Sequence, residues 1–142
     1  MTIGITVHGN GSQGVEVAGT ILSGAIFQSG FYVKEFHVPT VERMPFHSVS
    51  HIRMDKNPFL TKEPVTGADF VLVSDLSLNI AEIIKTSKDS SIAIFNSAEK
   101  PKFSSVKKKR IKAHYVDASG IQRSCLPMLG AFARFFNKIT LK

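Results

Sequence analysis

The stretch "VHGNGSQGVEVAG", residues 7–19, follows the apolar run 3–7 and sets Gly9, Gly11 and Gly14 in a G-x-G-x-x-G spacing. A short β-branched run that ends in glycines reads as a buried strand turning at once into a helix. The helix itself is visible in Val15, Ala18, Ile21, Leu22, Ala25 and Ile26, which recur at helical spacing over Val15–Gln28, with Gly30 placed where it would stop. Gly19 and Gly24 weaken that helix by propensity, which predicts close packing of the helix on a neighbour. Residues 31–36, "FYVKEF", are aromatic and β-branched and read as a second strand. A strand, helix, strand opening should be parallel and right-handed, so the leading class is α/β.

After that opening the pattern changes. "HVPTVERMPFH" holds two prolines and no helical period, so the second crossover helix is missing. Residues 48–54 alternate in character and "NPFLTKEP" follows with turn chemistry, which predicts a strand or hairpin. The near-continuous apolar run 68–75 suits a strand buried on both faces at the sheet centre. Residues 76–85 have helical spacing with Asp75 or Ser77 as N-cap, 91–96 and 113–118 read as strands, and 126–137 as a closing helix. The expected architecture is a three-layer α/β/α domain, its sheet largely parallel, with an irregular β-hairpin insertion after the second strand. With 142 residues, one domain over 1–142 is the expectation.

Composition narrows the function classes. Hydrophobic and charged shares of 43% and 20% are ordinary for a soluble protein, and no apolar run approaches the roughly 18 residues of a membrane span. No secretory signal opens the chain, so a cytoplasmic location is expected. Cys125 is the only cysteine, which excludes an intramolecular disulfide and any iron–sulfur cluster held wholly by this chain's thiolates; it reads as a buried small apolar residue. The net charge of +7 gathers in "KPKFSSVKKKRIK", residues 100–112, and at the C-terminal end. That run lacks interleaved aromatics and matches no nucleic-acid-binding motif, so it reads as a solvated loop or a surface for an acidic partner, with nucleic acid disfavoured.

The glycine turn has two readings. Its context fits a dinucleotide-binding turn, and Glu35 lies about where an acidic residue would bind a ribose diol, roughly 20 residues on. Against a complete NAD enzyme stand the missing crossover helix and the lack of room for a catalytic domain. His47 and His51, four residues apart, share one face of a strand or helix, yet no third ligand stands at a convincing spacing, so no metal site is expected. His8 sits beside the glycine loop, where it would touch a phosphate or partner or be satisfied by backbone. Asp75 and Asn96 end strands at the edge where α/β crevices form, with helix capping the simpler role for Asp75. Phe132, Phe135 and Phe136 are read as core or interface.

Beyond the loop, a wider pattern resembles the gamma subunit, or gamma domain, of the 2-oxoacid (pyruvate):ferredoxin oxidoreductase family. That family's loop reads G-x-G-G-Q-G; Gly9, Gly11, Gln13 and Gly14 match it, and Ser12 stands in for one glycine. "PTVERMPFHSVSHIRMD" is similar to a P-E-R-R-G-x-P segment running into a V-R-I-D strand: Glu42, Arg43, Ile52, Arg53 and Asp55 match, and Met44 and Pro45 replace an Arg-Gly step. "ADFVLVSDLSL" and "CLPMLGAFARFF" are similar to the family's later strand and closing helix, with Cys125 near an Asn position. The resemblance implies a subunit of an enzyme that cleaves or forms 2-oxoacids, inactive by itself and carrying no catalytic residue of its own. It implies partners of alpha, beta and delta type that bind thiamine diphosphate, magnesium and [4Fe-4S] clusters, with ferredoxin reached through the complex. The gamma component would pack on those partners and help shape the coenzyme A region. Gly9, Gly11, Ser12, Gln13 and Gly14 are then cofactor-binding or interface residues, and Glu42, Arg43, Lys107, Lys108, Lys109 and Arg110 interface or anion contacts. The alternatives are a small dinucleotide-binding Rossmann-like protein and a basic nucleic-acid-binding module.

Overall fold

The computed structural model describes residues 2–10, 13–38, 47–61 and 63–136. They form a six-stranded sheet with β1 (Ile3–Asn10), β2 (Tyr32–Val38), β3 (His47–Asp55), β4 (Ala68–Val73), β5 (Ser87–Asn96) and β6 (Lys112–Val116) in the order β2-β3-β1-β4-β5-β6. Helices α1 (Val15–Gln28), α2 (Ile80–Lys85), α3 (Ser104–Lys108) and α4 (Cys125–Phe135) cover it on both sides. The β1·β4, β4·β5 and β5·β6 pairings are parallel, and the β1·β3 and β2·β3 pairings antiparallel.

The opening β1-α1-β2 unit therefore runs as expected, with β2 parallel in direction to β1, but the two are not neighbours. The hairpin expected after the second strand is present, β3 pairing antiparallel with β2, but it is no peripheral insertion: β3 lies inside the sheet, between β2 and β1 and antiparallel to both. The reason lies in its side chains: Ile52 and Met54 are fully buried with Ile5 beneath α1, and Ser50 is small enough to let the helix approach. A Cβ on Gly19 would fall 2.6 Å from Ser50 Oγ, so this glycine permits the contact; Gly24 has open space around it and is not explained by packing. Gly30, at φ 89°, adopts the left-handed conformation that ends α1, as expected.

One face of the sheet packs on α1 and α4 through Ile5, Val7, Leu22, Ile26, Leu72, Met128 and Phe132. The other packs on α2 and α3 through Val71, Val73, Ile83, Ile84, Phe95 and Val106. The central position of β4 agrees with its continuous apolar run. α2 begins later than its spacing suggests: Asp75 and Ser77 form a turn in which the Asp75 carboxylate accepts from Ser77 N and Oγ, and Asn79 is the N-cap, accepting from Glu82 N. α4 starts at Cys125, one residue before the expected start, and ends at Phe135. Its Pro127 lies in the first turn, where a missing N–H costs nothing.

Candidate functional site

The sheet's connections reverse direction between β1 and β4, the position where open α/β sheets form ligand crevices at the strands' carboxyl ends. Here, among the described residues, Gln13 plugs the gap between the two strand ends. Gln13 turns its side chain inward, so that Oε1 accepts from Asn10 N at 3.0 Å and from Ser74 Oγ at 2.7 Å. Ser74 Oγ also lies 3.1 Å from the His8 carbonyl, Asn10 Nδ2 donates to Asp75, and Cys125 N donates to the Gln13 carbonyl. The loop thereby ties together β1, the end of β4 and the start of α4.

The described glycines follow from this closure. A Cβ on Gly9 would overlap Ser74 Oγ and lie 2.8 Å from both Gln13 Oε1 and Val15 Cγ2. Gly14 adopts φ 80° as the N-cap of α1, and a Cβ there would lie 3.2 Å from the Cβ of Arg123. Gly11 and Ser12 lie outside the described residues, as do Glu42 and Arg43. Asn96 is likewise structural, donating to the Ser74 carbonyl and accepting from Ala118 N, so it staples the ends of β4 and β6. Cys125 is fully buried, and burial pushes its thiol up to about 11, against the opposing pull of a hydrogen bond to Ser74.

Beside this plug, at the first turn of α1, a cleft of about 330 Å³ is lined by Gly14, Glu16, His37, Ser48, Gln122 and Arg123 among others. Among the described residues no side chain caps the helix there. The arrangement suits a negatively charged group facing Arg123 and the helix N-terminus, with Glu16 confining it to the Arg123 side. Ser48 is nine-tenths buried and lines the cleft, while Ser50 donates to the Val15 carbonyl at 3.1 Å.

On the opposite face of the sheet His8, opposite Val49, stands between His47 and His51. His8 Nδ1 and His47 Nε2 share a hydrogen bond of 2.9 Å, and His51 Nδ1 accepts from Val65 N. Burial, then the neighbouring His47 and His51, hold His8 well below the ordinary histidine range; burial lowers His47, and burial with Arg53 lowers His51 to about 4. The pair is thus a neutral buried contact that spacing alone did not disclose, because His8 comes from a different strand. Among the described residues no group of three His, Cys, Asp or Glu could hold a metal ion.

The basic stretch is not one solvated loop. It contains α3, and Lys109 Nζ donates to the carbonyls of Ile84, Lys85 and Ser87 at 2.7–3.2 Å, closing the C-terminal end of α2. Lys107, Lys108 and Arg110 remain exposed.

A family model described as pyruvate ferredoxin/flavodoxin oxidoreductase matches residues 4–141. The chain belongs to this family. Pyruvate synthase subunit PorC of Methanothermobacter thermautotrophicus is 32% identical over 139 residues, covering 92% of this chain and 74% of that protein. The common gamma subunit of the pyruvate/ketoisovalerate oxidoreductases of Thermococcus kodakarensis is 34% identical over 151 residues, covering 99% and 81%. The crystal structure of pyruvate oxidoreductase subunit PORC from Thermotoga maritima has the same fold, with a TM-score of 0.78 at 24% identity over 98% of this chain and 79% of that one.

Within this oxidoreductase family the dinucleotide alternative loses its footing on geometry as well. Glu35 lies mid-strand on β2, two strands from β1, beside Gly19 of α1. Burial raises its carboxyl, with Glu16 adding and His37 opposing. It does not stand at the glycine loop, where a ribose would need it. The nucleic-acid alternative finds no support either. Sequence reasoning missed Ser74, Ser48 and Arg123. A serine closing a buried strand and an Arg just before a helix are weak signals until the fold brings them to the loop. Among the described residues no helix is long and apolar enough to cross a membrane.

Proposed function

We propose that this chain is the gamma component of a multi-subunit 2-oxoacid:ferredoxin oxidoreductase that catalyses CoA-acylating oxidative decarboxylation of a 2-oxoacid or the reverse carboxylation. Family membership over residues 4–141 carries the reading. Thiamine diphosphate, magnesium and [4Fe-4S] clusters belong on partner chains of alpha, beta and delta type, because one cysteine cannot ligate a cluster alone. In this reading the work takes place in the cytoplasm and electrons leave through ferredoxin.

The glycine loop, closed by Gln13, then serves as a rigid corner for assembly rather than as a phosphate cradle. Coenzyme A supplies the thiol that accepts the acyl group. The residues present fit one of its phosphates at the cleft of Arg123, Gln122 and Ser48, which would bind and orient the anionic end.

The test is anaerobic capture of the tagged chain from its own host, followed by assay of 2-oxoacid-dependent dye reduction. The captured assembly should be active and coloured, and the isolated chain inactive and colourless. Oxidation of a 2-oxoacid by the isolated chain, or tight NAD binding by it that is lost in Glu35→Ala, would overturn the reading.

A further inference from the structure

β6 is an edge strand: among the described residues it pairs with β5 on one side, and its other side presents backbone N–H and C=O groups. A cleft flanks it on each face of the sheet. One, of about 510 Å³, is walled by Phe103, Val106 and Tyr115 and rimmed by Lys102 and Lys107. The other, of about 380 Å³, is walled by Val116, Ala131 and Phe135 and rimmed by Lys100 and Arg134. Lys112 stands exposed on the strand itself. Among the described residues no Asp or Glu lines either cleft. Asp117, just beyond the strand, is turned back onto Ser119.

The aromatic walls are held in place. Tyr115 packs against Phe95 and donates to the Pro101 carbonyl at 2.6 Å, and Phe135 lies 4.0 Å from the His114 ring while remaining 37% exposed.

We propose that the β6 edge receives an extended, acidic segment of a partner subunit, added as a seventh strand. The proposal rests on the reading of this chain as one component of a larger assembly. An added strand sends alternate side chains to opposite faces, which is how the two clefts lie, and its backbone satisfies the open edge. Lysine on an edge strand ordinarily wards off pairing, and Lys112 alone would do that. Apolar-walled clefts ringed by cations instead select for a strand of opposite charge. A second copy of this chain would bring the same cations to the same place and be repelled. Residues 137–142 carry Lys138 and Lys142 and no acid, so they have the wrong sign as well.

The experiment compares hydrogen exchange at residues 112–116 in the isolated chain and in the assembly captured from the host, with carbodiimide cross-linking of lysines to carboxylates. The expected result is exchange slowed by about tenfold or more, with cross-links from Lys102 or Lys112 to Asp or Glu of one partner segment. The exposed-site variant Lys102→Glu/Lys112→Glu/Arg134→Glu, shown folded by circular dichroism, should retain partner at least about tenfold less well. If partners are captured but 112–116 exchange as fast as in the free chain, the strand-addition proposal fails while the subunit reading stands. Protection that disappears on nuclease treatment would also overturn it, in favour of nucleic acid. Failure to capture any partner would overturn the subunit reading, and the strand-addition proposal with it.

Discussion

Replacing Gly9 with alanine tests whether the glycine loop is a packed corner. The added Cβ would overlap Ser74 Oγ and sit 2.8 Å from Gln13 Oε1 and Val15 Cγ2. Val15 is β-branched and stiff at χ1, so it yields little. Ser74 is free to rotate only by giving up its bonds to Gln13 and the His8 carbonyl. Overpacking costs about 1–3 kcal/mol, and the single hydroxyl proton that Ser74 shares between those two acceptors adds one lost buried hydrogen bond of about 1 kcal/mol, for a total of about 2–4 kcal/mol. For a chain of this length that lowers the thermal midpoint by roughly 6–15 °C. Gly24→Ala, where the same methyl meets open space in mid-helix, should instead stabilise by about 0.5–1 kcal/mol. Paired thermal melts by circular dichroism read both. Gly9→Ala melting within a degree or two of wild type would show that the loop does not pack as argued.

Lys109→Met leaves three carbonyls at the end of α2 without their ammonium donor and should cost about 1–3 kcal/mol in urea titration, whereas Lys107→Met and Lys108→Met should stay within about 0.5 kcal/mol; equal effects would refute the cap. His8, His47 and His51 titrate below their unfolded value of about 6.5. The unfolded chain therefore binds protons first as pH falls. Stability is full above about pH 6.5 and declines through pH 5.5 toward about 4, where His51 charges, with Glu35 acting in the opposite sense. A urea midpoint that is flat or rising from pH 7.5 to 5.5 would contradict this. Cys125, fully buried with its thiol pushed up to about 11, should resist Ellman's reagent at pH 8 until the chain is denatured, and stoichiometric reaction of the native protein would count against its burial.

The helix Val15–Gln28, the buried strand β4 and the late strands were legible because their apolar periodicity is local and strong. The position of β3 was not. Its alternation marked a strand, but nothing within residues 47–55 says that it separates β1 from β2; that follows from Ser50 meeting Gly19, thirty-one positions earlier in the chain. α3 was hidden because its five residues are mostly polar and basic, and a helix that short is held by Val106 packing under α2 rather than by propensity. In the site, the glycines were visible while their partner Ser74 was not.

The sequence by itself determined an α/β chain with a glycine corner after its first strand, a lone thiol and a basic segment, together with a motif order sufficient to mark the oxidoreductase family. These properties depend on residue type and near spacing, which one-dimensional order preserves. Only the tertiary structure decided that Gln13 closes the corner, that Lys109 caps α2 while its neighbours stay exposed, that His8 meets His47, and that, among the described residues, β6 is left as an open edge between two apolar-walled clefts. Each of those depends on a contact between elements far apart in the chain, where the energy of pairing is set by the packed geometry and not by either residue alone.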